Sequence, residues 1–336
     1  MITWGISSNS HNAALAVFSN DSLMFASQSE RFSRKKNDPY ICEELIHHAL
    51  KYGEPELICW YEQPLRKKLR QIRAGQGLFQ DNFTKYFNCK HKFIDHHYSH
   101  ACAGYFTSKF QSSAILVIDG IGETTTMSIW SAKGNTIKQL WKLKYPNSIG
   151  LWYSAMTQRC GFKPNEEEYL MMGLSAYGNG GEYVGKIMNE LIGMDFECKQ
   201  NMHRGIGDWQ PEASPEEIAA ASQTVYTTLF CNALSLTKRL TGSDNIVIMG
   251  GCALNCAANT HAYDFLKRVW IMPAPDDAGS AIGAVLAHKK IRIPFTPYLG
   301  YKILQKDTNT SIVEYLRYHK VCGLARGRAE FGPRAL

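Results

Sequence analysis

Short apolar runs separated by polar, glycine-bearing turns dominate the chain, and they recur twice in one order. ITWGIS (residues 2–7) predicts a strand, and residues 8–12 predict a polar turn. AALAVFS and SLMFASQ predict two further strands, with Asn20 and Asp21 as a two-residue hairpin between them. Helical periodicity follows over residues 40–52, then a short strand in ELICWY and a basic helix over PLRKKLRQIRAG (64–75). KFID then leads into a helix opening near His96.

A second cycle begins with AILVIDG, a strongly apolar strand entering a glycine turn, and continues with strands in TTTMSIWS and IKQLWKLKY and a helix over 150–160. Residues 182–214 mix glycine, charge and methionine and are expected to be an insertion or variable surface. A helix over 215–240 follows. NIVIMGG and RVWIMPA then read as buried strands with a helix between them, and AGSAIGAVLAHKK as a small-residue helix. Strands alternating with helices predict an α/β architecture, and two cycles predict a duplicated one with a cleft between lobes. The last segment, GLARGRAEFGPRAL, reads as a strand entering a glycine and arginine loop, so the chain is expected to be a fragment or half of a split protein.

Composition narrows the class. At 336 residues, with 45% hydrophobic and 20% charged positions, the chain is globular and long enough for two lobes. The net charge of +7, from 37 Lys and Arg against 30 Asp and Glu, is too mild for a dedicated nucleic-acid binder. The ten cysteines contain no C-x-x-C pair and the amino terminus has no export signal, which points to a reducing cytoplasm. No 18-residue apolar run offers a membrane span.

Four constellations carry candidate chemistry. In DHHYSHACAG, a helix opening near His96 puts His96 and His100 at i and i+4, on one face, where they can share a metal; His97 points elsewhere. In VIDGIGETTT, Asp119 ends a strand and Gly120 and Gly122 let backbone N–H groups approach a phosphate, although a tight turn between strands has the same appearance. IVIMGGCALNCAANT ends a strand in Gly250 and Gly251 and enters a helix near Asn255, an arrangement that cradles nucleotides; Cys252 and Cys256 read as packing residues. In PAPDDAGSAIGA, Asp277 sits at a strand-to-helix turn where it can complete a metal site, with Asp276 as a helix cap. Arg66 to Arg73 reads as a solvated basic face.

In this order the segments resemble the nodulation and antibiotic-biosynthesis O-carbamoyltransferases. The matching stretches are GISSNSHNAA, ASQSERFSRKKND, DHHYSHA, LVIDGIGE, GLWYSAMTQRCGF, EYLMMGLSAYG, GGCALNCAAN, PAPDDAGSAIGA and GRAEFGPRAL, collinear over essentially the whole chain. The first domain of that family is similar to the tRNA threonylcarbamoyl-transfer proteins. The resemblance implies a bilobal domain of two ribonuclease-H-like subdomains, of the actin, heat-shock 70 and sugar-kinase type. The lobes would span 1–110 and 111–321, with the insertion near 182–214, and 322–336 would begin a truncated carboxy-terminal segment.

The resemblance also implies a divalent metal, iron in the family, on His96, His100, Asp119 and Asp277. A nucleotide would contact Gly120, Gly122, Glu123, Gly250, Gly251 and Asn255, and His11 and Asn12 would lie at the catalytic turn. The implied reaction makes carbamoyl-adenylate from carbamoyl phosphate and ATP in a second domain, absent here, and passes the carbamoyl group to a hydroxylated acceptor. Asn12, Ser29 and Leu170 depart from the family's usual Asp, Glu and Lys. A sugar-kinase-like ATPase, transfer onto tRNA and an inactive nucleotide-binding fragment remain as alternatives.

Overall fold

The computed structural model describes residues 1–10, 12–73, 87–304 and 308–333. Among these, ten strands form two five-stranded sheets. The first contains β1 (Ile2–Ser7), β2 (Ala14–Ser19), β3 (Ser22–Gln28), β4 (Leu57–Trp60) and β5 (Lys90–Phe93), in the spatial order β3-β2-β1-β4-β5. The second contains β6 (Ser112–Gly122), β7 (Thr125–Lys133), β8 (Thr136–Lys144), β9 (Asn245–Met249) and β10 (Arg268–Ile271), in the order β8-β7-β6-β9-β10. In each sheet the first three strands pair antiparallel and the last two join in parallel. The order is therefore the same in both, which is the duplication the sequence predicts and the ribonuclease-H-like fold the family resemblance implies.

The first hairpin turns at Asn20, whose φ of 50° is the left-handed conformation such turns demand. Period-2 alternation places Ile115 and Val117 of β6 in one core and Ala114, Leu116 and Ile118 in another, so both faces of the strand are apolar. The first core is continuous from the first sheet, through the helices His96–Thr107 and Asp277–Lys289, to the near face of the second. The helix Glu43–Leu50 covers the outer face of the first sheet. Ile149–Arg159 and Pro215–Thr241 cover the second. Pro215–Thr241 starts at a capping box of Ser214 and Glu217 and stops at Gly242 in the left-handed conformation.

The two central helices cross over. His96–Thr107 follows the fifth strand of the first sheet but packs on the second, where a Cβ on Gly104 would lie 2.4 Å from Val247 Cγ1. Asp277–Lys289 follows the fifth strand of the second sheet but packs on β1, where a Cβ on Gly5 would lie 1.8 Å from the Ala281 carbonyl oxygen. The helices touch each other at Gly283, whose Cβ would sit 2.0 Å from the Ser99 oxygen. Only glycine admits backbone this close.

Several local expectations are corrected. The helix expected over 40–52 is confined to Glu43–Leu50. Tyr40 donates its N–H to Asp38 Oδ1, and Cys42, extended at ψ of 156°, donates its N–H to Ser29 Oγ at 3.2 Å, so the helix starts only after it. The helix expected between β9 and β10 is split into three short turns, Gly251–Leu254, Cys256–Asn259 and Ala262–Phe265. Residues 182–214 are not merely surface, because Ile187, Leu191, Ile192 and Phe196 enter the second core. The strand expected in GLARG does not form. Gly327 turns with φ of 75°, and Arg328 instead donates to the carbonyls of Met24, Leu299 and Gly300. No helix among the described residues is long and apolar enough to cross a membrane.

Candidate functional site

Four side chains converge where the helix crossover meets the tip of the second sheet. His96 and His100 lie one turn apart on the His96–Thr107 helix, Asp277 opens the Asp277–Lys289 helix, and Asp119 sits in an irregularity of β6 between Ile118 and Gly122. Such a bulge re-aims a strand-end side chain. All four are buried, and their ligand-type atoms lie within 4.8 Å of one another.

The spacing suits a cation. His96 Nε2 is 3.1 Å from His100 Nε2, 2.9 Å from Asp119 Oδ2 and 3.3 Å from Asp277 Oδ1. His100 Nε2 is 3.7 Å from Asp119 Oδ2 and 3.3 Å from Asp277 Oδ1. Ligands about 2.1 Å from a common ion lie about 3.0 Å apart at right angles and about 3.4 Å apart in a tetrahedron. The Nδ1 atoms of both histidines are buried without a hydrogen-bond partner among the described residues, so each ring's polar contacts are made through Nε2.

Surrounding groups fix the carboxylates. Asp119 Oδ1 accepts the Gly120 N–H at 2.9 Å and the Gly251 N–H at 3.4 Å, which leaves Oδ2 to the histidines. The hydroxyl of Tyr61, a fully buried residue at the end of β4, donates to Asp277 Oδ2 at 3.4 Å, and its ring lies against His96 at 5.0 Å between centroids. Gly122 is where it is because a Cβ there would come within 2.3 Å of the His96 ring.

The electrostatics match this geometry. Burial opposes charge on His96, but Asp277 and Asp119 outweigh it and hold the imidazole up at about 10. Burial likewise works against ionisation of Asp119 and Asp277, yet the two histidines keep both carboxyls well below the usual range. His97 is different: burial pushes it down to about 3, and its Nδ1 bonds Ser128 Oγ at 2.7 Å, away from the cluster.

The other predicted residues are placed as follows. Asn12, at φ of 59°, donates from Nδ2 to Asp276 Oδ2 at 3.2 Å; a carboxylate at position 12 would face Asp276 as a like charge. His11 lies outside the described residues. Gly120 faces open space apart from Leu151, at ordinary contact distance. Gly250, at φ of 92°, would place a Cβ 2.1 Å from the Ile118 oxygen. Asn255 caps the Cys256–Asn259 turn and exchanges two amide hydrogen bonds with Gln223. Glu123 accepts the Gln63 N–H at 2.7 Å and pairs with Arg66, tying the second sheet's tip to the first. Gly122, Glu123, Gly250 and Asn255 thus each have an intramolecular role.

The basic helix Pro64–Arg73 keeps Arg66 and Lys68 on a solvated face, as expected, but turns Lys67 inward. Arg66 pairs with Asp95 at 2.7 Å, and buried Lys67 pairs with buried Glu62 at 2.6 Å and reaches the Asn9 carbonyl. Sequence reasoning missed Tyr61. The available signal was its position at the end of ELICWY, the same strand-end position that singled out Asp119.

Fold and cluster together define an α/β protein of two like five-stranded sheets with a buried two-histidine, two-aspartate centre. The family model described as Carbamoyltransferase N-terminus matches residues 61–286, and the chain belongs to that family. It is 30% identical to an uncharacterized protein of Synechocystis sp. (sll1178), over 99% of this chain and 69% of the relative. It is 24% identical to nodulation protein NolNO of Sinorhizobium fredii, over 97% of this chain and 57% of the relative. Among solved structures, the activator of the 2-hydroxyisocaproyl-CoA dehydratase from Clostridium difficile, with bound ADPNP, aligns with a TM-score of 0.50. That alignment covers 88% of this chain and 100% of the activator at 14% identity, a likeness of fold.

Proposed function

We propose that the chain is the transferring part of an O-carbamoyltransferase, moving a carbamoyl group from carbamoyl-adenylate to an acceptor hydroxyl. The reading is carried by the convergence of His96, His100, Asp119 and Asp277 within 4.8 Å in a chain of the carbamoyltransferase family. These four residues would hold a divalent cation, iron by the resemblance, and that cation supplies Lewis acidity toward the carbamoyl carbonyl.

The protein's own groups do the rest. Asp119 and Asp277 keep the centre anionic, and Tyr61 and the Gly120 and Gly251 amides hold both carboxylates in place. The open backbone at Gly120 lets the adenylate phosphate come close. The cleft aligns the acceptor, so that its oxygen bonds to the carbamoyl carbon as the bond to AMP breaks. His11 is assigned as the base that takes the hydroxyl proton. The donor comes from carbamoyl phosphate and ATP in a separate adenylate-forming domain.

A kinase reading fits the centre less well, since kinases hold magnesium through oxygen ligands. A tRNA reading leans on the Pro64–Arg73 helix, where Arg66 and Lys67 are already engaged by Asp95, Glu123 and Glu62. The test supplies synthetic carbamoyl-adenylate and a panel of hydroxylated metabolites and follows the carbamate mass increment. His100→Ala is expected to lose both bound cation and transfer; transfer at the wild-type rate by this variant rejects the reading.

A further inference from the structure

The tip of the first sheet carries polar side chains that no other group among the described residues satisfies. Ser7 pairs with Ala14 across β1 and β2, and Ala14 pairs with Gln28 across β2 and β3. Paired residues share a face of the sheet, so the three stand in a row. It is also the face of Gly5, two residues before Ser7, on which Ala281 of the Asp277–Lys289 helix rests. The Ala14 methyl thus stands in the row between Ser7 and Gln28, all three buried.

Ser7 and Gln28 are each 1% exposed, and Ser7 Oγ, Gln28 Oε1 and Gln28 Nε2 all lack a hydrogen-bond partner among the described residues. Asn12 Oδ1, at the same end of the sheet, is also buried and unpartnered there. The Nδ2 of Asn12 bonds Asp276, the immediate neighbour of Asp277. Asn12 thus ties this end of the sheet to the residue preceding Asp277.

A buried amide with neither oxygen nor nitrogen bonded is destabilising, and a methionine of similar length would serve packing better. The unused groups are two carbonyl acceptors, an amide NH donor pair and a hydroxyl. Their complement is a small planar group with its own amino group and carbonyl. Resting on the transfer reading above, we propose that Gln28, with Ser7 and Asn12, recognises the amino and carbonyl end of the carbamoyl donor and selects it against acyl groups that lack the amino group. A site built to bond a polar group rejects the analogue without it, because its own buried groups are then left unpaired.

The test compares carbamoyl-adenylate with acetyl-adenylate, which differ at the acyl carbon by an amino group against a methyl. Each competes with a fluorescent AMP analogue on the cation-loaded chain and is read within seconds of mixing. The wild type is expected to prefer carbamoyl-adenylate by about tenfold or more. Gln28→Met is expected to melt no lower than the wild type without ligand and to bring the preference close to one. Ala14→Val, which adds two carbons between Ser7 and Gln28 and leaves Gln28 intact, is expected to do the same, as a second and independent disturbance of the row.

A preference that persists in both variants, or a wild type that binds both adenylates equally, overturns the inference and leaves the transfer reading standing. A wild type that binds neither adenylate removes both.

Discussion

The two sheets share a strand order, and their tips differ in what they present. Ile6 of β1 pairs with Trp60, the last residue of β4, and Val117 of β6 pairs with Met249, the last residue of β9. Two residues beyond each paired position stand Ser8 in the first sheet and Asp119 in the second. Beyond β4 come Tyr61 and Glu62, and beyond β9 come Gly250 and Gly251. The second tip is thus opened by glycines around a carboxylate. The first is filled by a buried aromatic ring and a buried Glu62–Lys67 pair. One scaffold has divided its labour: the second tip supplies a ligand and backbone amides, and the first supplies support.

The sharpest way to break this comparison is to remove the corresponding residues. Asp119→Ala is expected to weaken cation binding more than the roughly 10–100-fold of a supporting residue, while Ser8→Ala leaves it nearly unchanged. Equal losses in a competition assay against a chromophoric chelator would mean the tips are not specialised.

Next in size is a pH effect. Asp277 and Asp119 raise His96 from 6.5 to about 10, so the stability it contributes without cation is full below pH 6.5 and fades as pH rises through about 10. Asp119 and Asp277 are lowered, so their contribution holds above about pH 3.8 and is lost on acidification. A bound cation replaces those protons and should remove the alkaline decline. Melting curves across pH, with and without cation, check this; an alkaline decline that persists with cation counts against the cluster as the cause.

Gly5→Ala then tests the crossover. Its Cβ would meet the Ala281 backbone, which cannot step aside, at a cost of about 1–3 kcal/mol. Gly104→Ala meets side-chain atoms of Val247 and Met249 rather than backbone, and should cost less in denaturant titration. Smallest is Ser214→Ala, which removes a helix cap that bonds none of the four cluster residues. It should lower stability by about 1 kcal/mol with cation affinity intact.

Much of this was legible in the sequence for local reasons. The strands appear as short apolar runs bounded by turn residues. The cluster appears because helical spacing puts His96 and His100 on one face and because Asp119 and Asp277 stand at element ends. What stayed hidden depends on contacts distant in the chain. Nothing near Asn255 announces Gln223, and nothing near Glu123 announces Gln63 and Arg66. Cys42 looks compatible with a helix until the distant Ser29 Oγ takes its N–H. The crossover is invisible to periodicity, because an Ala- and Gly-rich helix reveals that it packs closely and does not reveal on which sheet.

That crossover has a consequence for how the protein is made. When the ribosome has delivered the first sheet and the His96–Thr107 helix, the face of β1 around Gly5 is still bare, since its cover begins about 170 residues ahead. Folding of the leading half must wait for the trailing one, and an apolar surface stands open to chaperones, or to a neighbouring nascent chain, for that interval of synthesis.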